Sequence, residues 1–192
     1  MKALFAFAVC VLLLAPVAHA GVIYTAVLSG LNEGPPNGSS GTGVTFVTVD
    51  TVAQTIRVEV TFSGLTGTTT ASHIHCCQPL GVNAGVATTT PTFAGFPLGV
   101  TSASYDNTLD MTLSSSYNPS FVTAHGGIAG AEAFLFAGIA AGQAYLNIHS
   151  QTFPGGEIRG QLTVDAPEPG TFLLAGAVLA GFAIRRRRAA RS

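Results

Sequence analysis

Residues 21–166 predict an all-β fold, an antiparallel β-sandwich, on three observations. Apolar residues recur with a period of two over runs of six to eight residues, as on strands with one buried face. Clusters of Gly, Pro and Asn separate these runs. Charged residues make up only 9% of the chain, against roughly 25% in a typical soluble domain. Thr, Ser and Gly take their place, in tracts such as TGTTTAS (66–72) and TLSSSYNPS (112–120). Threonine is β-branched and suits a pleated, half-exposed strand face.

The strands are expected in this order. Residues 22–28 and 44–50 form the first pair, with LNEGPPNGSSGTG (31–43) as the loop between them, and residues 55–62 follow after a turn. Further strands are expected at residues 71–75, 109–113, 131–136, 145–149 and 157–164. Between the tails no window carries a helical period, so the only helix expected is a short apolar one near the C-terminus. A segment of this size suits one domain with a substantial core.

The body is acidic. Arg57 and Arg159 face Glu33, Asp50, Glu59, Asp106, Asp110, Glu132, Glu157 and Asp165, so two cations meet eight carboxylates and the net charge is about −6. That balance argues against binding nucleic acid through its phosphates. The basic residues collect in the C-terminal tail instead.

Both ends carry export features. In MKALFAFAVCVLLLAPVAHA (1–20), Lys2 precedes an apolar run, and Ala18 and Ala20 supply an A-x-A cleavage site. This is the layout of a secretory signal peptide. Cleavage there removes Cys10 and His19 and leaves Cys76 and Cys77 as the cysteines of the exported form. At the other end, Pro167, Glu168 and Pro169 precede an apolar segment, 171–184, and the block Arg185, Arg186, Arg187 and Arg188. Pro169 lacks an amide hydrogen and holds Glu168 extended, so a helix starts only after it. Fourteen helical residues cover about 21 Å, short of a hydrocarbon core of about 30 Å. The segment suits transient insertion in the inner membrane, with the arginines held on the cytoplasmic side.

The reactive side chains concentrate in ASHIHCCQP (71–79). Ile74 opposes His73 and His75 on a strand, and in YLNIH (145–149) Leu146 and Ile148 oppose Tyr145, Asn147 and His149. Two strands that bury Ile74, Leu146 and Ile148 therefore present His73, His75 and His149 on the other face. Copper or zinc would suit such a set, with Cys76, Cys77 and His125 (in AHGG, 124–127) as further ligands. The same cluster also suits a packed, hydrogen-bonded strand end. Adjacent Cα atoms about 3.8 Å apart fall below the usual disulfide range, which leaves a strained vicinal disulfide, an intermolecular link or free thiols open for the cysteine pair. Glu157 and Arg159 share a face after the PGG turn and are expected to be structural, as an ion pair within the sheet.

The PEPG sequence, the apolar segment and the arginine block together resemble a PEP-CTERM sorting signal of exopolysaccharide-producing Gram-negative bacteria. That resemblance implies recognition by an exosortase and the secretion machinery, and a surface or extracellular destination. The stretch AYLNIHSQTFPGGEIRGQL (144–162), with ASHIH and the NEGPP loop (32–36), resembles a CHRD domain, the module first described in chordin and found in many exported bacterial proteins. It implies an all-β extracellular module, and the sandwich expected from the strands is of the immunoglobulin-like or superoxide-dismutase-like kind. The expected function is a non-catalytic surface or matrix protein associated with exopolysaccharide or biofilm. No G-x-S-x-G elbow, H-E-x-x-H helix or phosphate-binding glycine loop occurs. Two alternatives stand beside it. One is superoxide-dismutase-like metal chemistry, for which the H-x-H pattern is the ground. The other is a carbohydrate-binding adhesion module, although Trp is absent and Tyr105 and Tyr117 are expected in different loops.

Overall fold

The computed structural model describes residues 21–164. The expected signal peptide, the PEP segment, the helix at 171–184 and the arginine block lie outside the described residues. Among the described residues no helix is long and apolar enough to cross a membrane.

Eight strands form one antiparallel sheet: β1 (Val22–Ser29), β2 (Thr42–Asp50), β3 (Thr55–Ser63), β4 (Thr69–Cys76), β5 (Ala103–Asp110), β6 (Ala144–Ser150), β7 (Ile158–Gln161) and β8 (Thr163–Val164). Their order is β4, β6, β7, β1, β2, β3, β5, with β8 continuing beside β1. The β2–β3 hairpin closes where Asp50 Oδ1 accepts from the amides of Val52 and Ala53, at 2.9 and 2.8 Å. An aspartate that bonds the backbone ahead of it makes this turn without a glycine.

The sheet curls until its two ends meet around the core. The amides of Leu65, between β3 and β4, and of Thr69, at the start of β4, donate to the Thr101 and Val100 carbonyls just ahead of β5, at 3.1 and 2.8 Å. The free edge of β4 is covered in turn, since Ala87 donates to Ile74 and Phe93 to Ser72, at 3.0 and 3.1 Å. An edge satisfied in this way offers no template for pairing with another chain. Leu28, Val47, Ile56, Val58, Ile74, Leu146, Ile148 and Ile158 are fully buried between the two halves. Each such side chain contributes roughly 1.5–3 kcal/mol. The architecture is the expected antiparallel sandwich.

Two expectations need correction. Residues 131–136 are not a strand; they lie in α2 (Ile128–Ala140), which follows the shorter α1 (Pro119–Ala124). The buried positions Ala131, Leu135, Gly138 and Ile139 fall at helical spacing on one face, the face that packs on the sheet. The signal was hidden because the opposite face is also apolar, with Phe134 46% exposed. Alanine-rich sequence favours helix once no strand partner is available. The strand expected at 109–113 instead ends at Asp110, whose Oδ1 accepts from the amide and hydroxyl of Thr112 and turns the chain. Tyr105 accordingly lies on β5 and not in a loop.

Candidate metal centre

Strands β4 and β6 pair with Ile74 opposite Leu146, His73 opposite Asn147, His75 opposite Tyr145 and Ala71 opposite His149. β7 adds Arg159 opposite Asn147. One face of these strands carries Ile74, Leu146, Ile148 and Ile158 into the core. The other carries the polar row His73, His75, Tyr145, Asn147, His149 and Arg159, and all six are buried. The loop after β1 and the segment after β4 cover them.

The ligand nitrogens of His73, His75 and His149 lie within 4.8 Å of one another. Their ring centroids are 5.2 to 5.8 Å apart. Each ring is anchored by one nitrogen to a backbone carbonyl. His73 Nε2 donates to Pro91 at 2.7 Å, His75 Nδ1 to Ala84 at 2.9 Å and His149 Nδ1 to Pro154 at 3.0 Å. The remaining nitrogens, Nδ1 of His73 and Nε2 of His75 and His149, are buried without a partner among the described residues. A carbonyl only accepts, so the anchored nitrogen bears the proton and the other presents a lone pair. Metal-binding histidines are oriented in this way by their second nitrogen.

Electrostatics favour the same protonation state. Burial lowers the pKa of His73 and His149, against the opposing effect of their carbonyl bonds. His75 is lowered to about 4, mainly by burial, with further contributions from His149, His73 and Arg159. Neutral imidazoles in a water-poor site are ready to ligate without first losing a proton.

Around this core sits a second set of groups. Tyr145 stacks on His75 with centroids 4.9 Å apart, and the Arg159 guanidinium lies 4.6 Å from the Tyr145 ring centroid. Arg159 donates to Asn32 O at 2.5 Å and to Asn83 Oδ1 at 2.6 Å, and its Nε lies 3.9 Å from Glu33 Oε2. Burial raises the Glu33 carboxyl to about 7 although Arg159 and Asn147 oppose the shift. Glu157 and Arg159 form no ion pair with each other. Glu157 instead accepts from Ser39 Oγ at 2.6 Å, from the Gly67 amide at 3.2 Å and from the Thr66 amide.

The remaining expected ligands lie elsewhere. Cys76 and Cys77 form a vicinal disulfide. Cys76 shares the core face with Ile74, so strand alternation turns its sulfur away from the imidazoles; the pair lies against Gly138 of α2, where no Cβ would fit. His125 sits at the end of α1 between Phe121 and Phe134, with ring centroids 4.3 and 4.1 Å away. Sequence reasoning brought the three histidines to one face but missed Glu33 and Asn83, which loops deliver from far along the chain. The NEGPP loop was the available signal for Glu33.

Fold and site together define an all-β module whose buried polar face converges on three imidazoles. The model of the CHRD domain matches residues 24–162, and the chain belongs to that family. The PEP-CTERM protein-sorting motif matches residues 165–188. The protein is thus an exported, exosortase-sorted CHRD-domain protein, destined for the cell surface or the extracellular space. Comparison with curated proteins finds no match, and comparison with solved structures finds none either.

Proposed function

We propose that this exported protein is a non-catalytic surface or matrix protein whose body binds one copper or zinc ion through His73, His75 and His149. The observation that carries the reading is the set of three buried ring nitrogens that lack partners while their opposite nitrogens are each fixed to a carbonyl. An unpartnered polar atom in a dry interior costs roughly 1–3 kcal/mol, and three converging on one point are accounted for by an ion. Imidazole sets suit zinc and copper, whereas magnesium and calcium take oxygen ligands. Nitrogens sharing such an ion sit roughly 3.3–3.6 Å apart, so from separations of up to 4.8 Å the rings close in by about 1 Å on binding.

The sorting motif supports a place in an envelope rich in exopolysaccharide. The adhesion-module reading has less support, because all four tyrosines are buried and the exposed rings of Phe46 and Phe134 lie on separate elements, β2 and α2. Isothermal titration of the exported protein with copper(II) and zinc(II) tests the metal reading. One equivalent should bind, and His149→Ala should abolish binding; no heat with either ion contradicts the assignment. Failure of the protein to co-purify with the producing strain's polysaccharide contradicts the matrix role.

A further inference from the structure

Five buried side-chain atoms lack a partner among the described residues, and they belong to one neighbourhood: His73 Nδ1, His75 Nε2, His149 Nε2, Asn147 Oδ1 and Glu33 Oε1. The three imidazoles account for three of them. Asn147 stands between Tyr145 and His149 on β6, directly opposite His73. Glu33 lies beside it, since a Cβ on Gly156 would come within 2.6 Å of Asn147 Nδ2 and 2.8 Å of Glu33 Oε2. Glycine at 156, with φ of 136°, leaves the room in which these two side chains lie together.

Both leftover atoms are acceptors. Asn147 and Glu33 are 2% and 8% exposed, too buried for bulk water to satisfy them. Glu33 accepts from the Asn147 side chain and lies 3.9 Å from Arg159 Nε, which places it among the groups around the imidazoles. A metal with three imidazoles retains an open fourth position. A water there has two O–H donors, and the neighbourhood holds two unpartnered acceptors.

Resting on the metal reading above, we propose that the ion held by His73, His75 and His149 carries one water in an exchangeable fourth position. That water donates to Asn147 Oδ1 and Glu33 Oε1, and small inorganic anions displace it. By this proposal the anion enters from a cavity of about 290 Å³ between residues 33–37 and 152–156, which reaches Glu33, Pro154 and Gly156 and is lined by none of the three imidazoles. Pro154 there also anchors His149. The exchange is balanced: an anion's lone pair replaces that of the departing water, and no electron is transferred.

The test uses the exported protein loaded with copper(II), with azide as the anion probe. Electron–nuclear double resonance in ¹⁷O-enriched water should show one copper-bound oxygen, which disappears as azide saturates the site. Copper bound at one per chain without an ¹⁷O coupling overturns the proposal while leaving the three-histidine site intact; failure to bind copper removes the metal reading itself. In Asn147→Leu the copper that is bound should take azide about tenfold more tightly, because the displaced water has lost an acceptor. Asn147→Gln, which retains a neutral amide oxygen, should stay closer to the parent protein, within about threefold. Equal azide affinity in Asn147→Leu and the parent overturns the role of Asn147.

Discussion

Lowering the pH on metal-free protein should withdraw stability through the buried imidazoles. A histidine more acidic in the folded than in the unfolded chain binds fewer protons when native, so stability rises with pH across that interval. The contribution is complete above the unfolded value of 6.5 and is lost as pH falls toward the folded value. For His75 the folded value is about 4, and at roughly 1.4 kcal/mol per pH unit the loss is about 3 kcal/mol. His73 and His149 shift the same way and add to it. Glu33 acts in the opposite sense: raised from 4.5 to about 7, it binds more protons in the native state and loses stability as pH rises through that range. Glu33→Gln removes the offset and exposes the histidine slope. The shifts of Asp106 and Asp110 are downward, so they act below the interval of interest. Urea unfolding with a chelator present, followed by circular dichroism at pH 7.5, 6.5, 5.5 and 4.5, reads the slope. In Glu33→Gln the unfolding free energy should fall by about 3 kcal/mol or more between pH 7.5 and 4.5. A flat profile in that variant refutes the claim that the imidazoles are buried and neutral.

Gly138→Ala places a methyl against the Cys76–Cys77 sulfurs, and should cost about 1–3 kcal/mol in urea unfolding; an unchanged midpoint contradicts the packing of α2 on the disulfide. Residues 21–165 alone should fold with a strand-dominated spectrum that also contains the helical signal of α1 and α2, of six and thirteen residues; a spectrum without helix contradicts the correction at 131–136. Glu157→Ala removes the acceptor from the Ser39, Thr66 and Gly67 donors and should destabilise by about 1–3 kcal/mol, whereas no loss would show that carboxylate to be dispensable. Intact-mass measurement of the secreted form should lack the arginine block beyond the PEP segment, and its retention there contradicts processing.

The sandwich was legible because strand alternation is a local property: residues 22–28, 44–50 and 55–62 each bury every second side chain, and β1, β2 and β3 begin and end close to the expected positions. Alternation also put His73, His75 and His149 on the face away from Ile74, Leu146 and Ile148, although their convergence depends on β4 and β6 being neighbours. α2 was not legible from its period, because alanine and phenylalanine fill both of its faces and the pattern carries little contrast. The fate of the cysteines was open for a different reason. Strand alternation alone places Cys76 with the core, but its bond to Cys77 forms where the strand ends and alternation no longer applies. Glu33 and Asn83 reach Arg159 across long stretches of sequence, and no local spacing encodes such contacts.

Extended X-ray absorption on the exported protein loaded with one equivalent of copper or zinc tests the three-imidazole centre most directly. The account predicts a nitrogen and oxygen shell at roughly 2.0 Å with the outer-shell scattering of three imidazole rings, and no sulfur. A sulfur shell at roughly 2.3 Å would place the ion on Cys76 or Cys77, and a spectrum without imidazole scattering would place it elsewhere; either result contradicts the assignment to His73, His75 and His149.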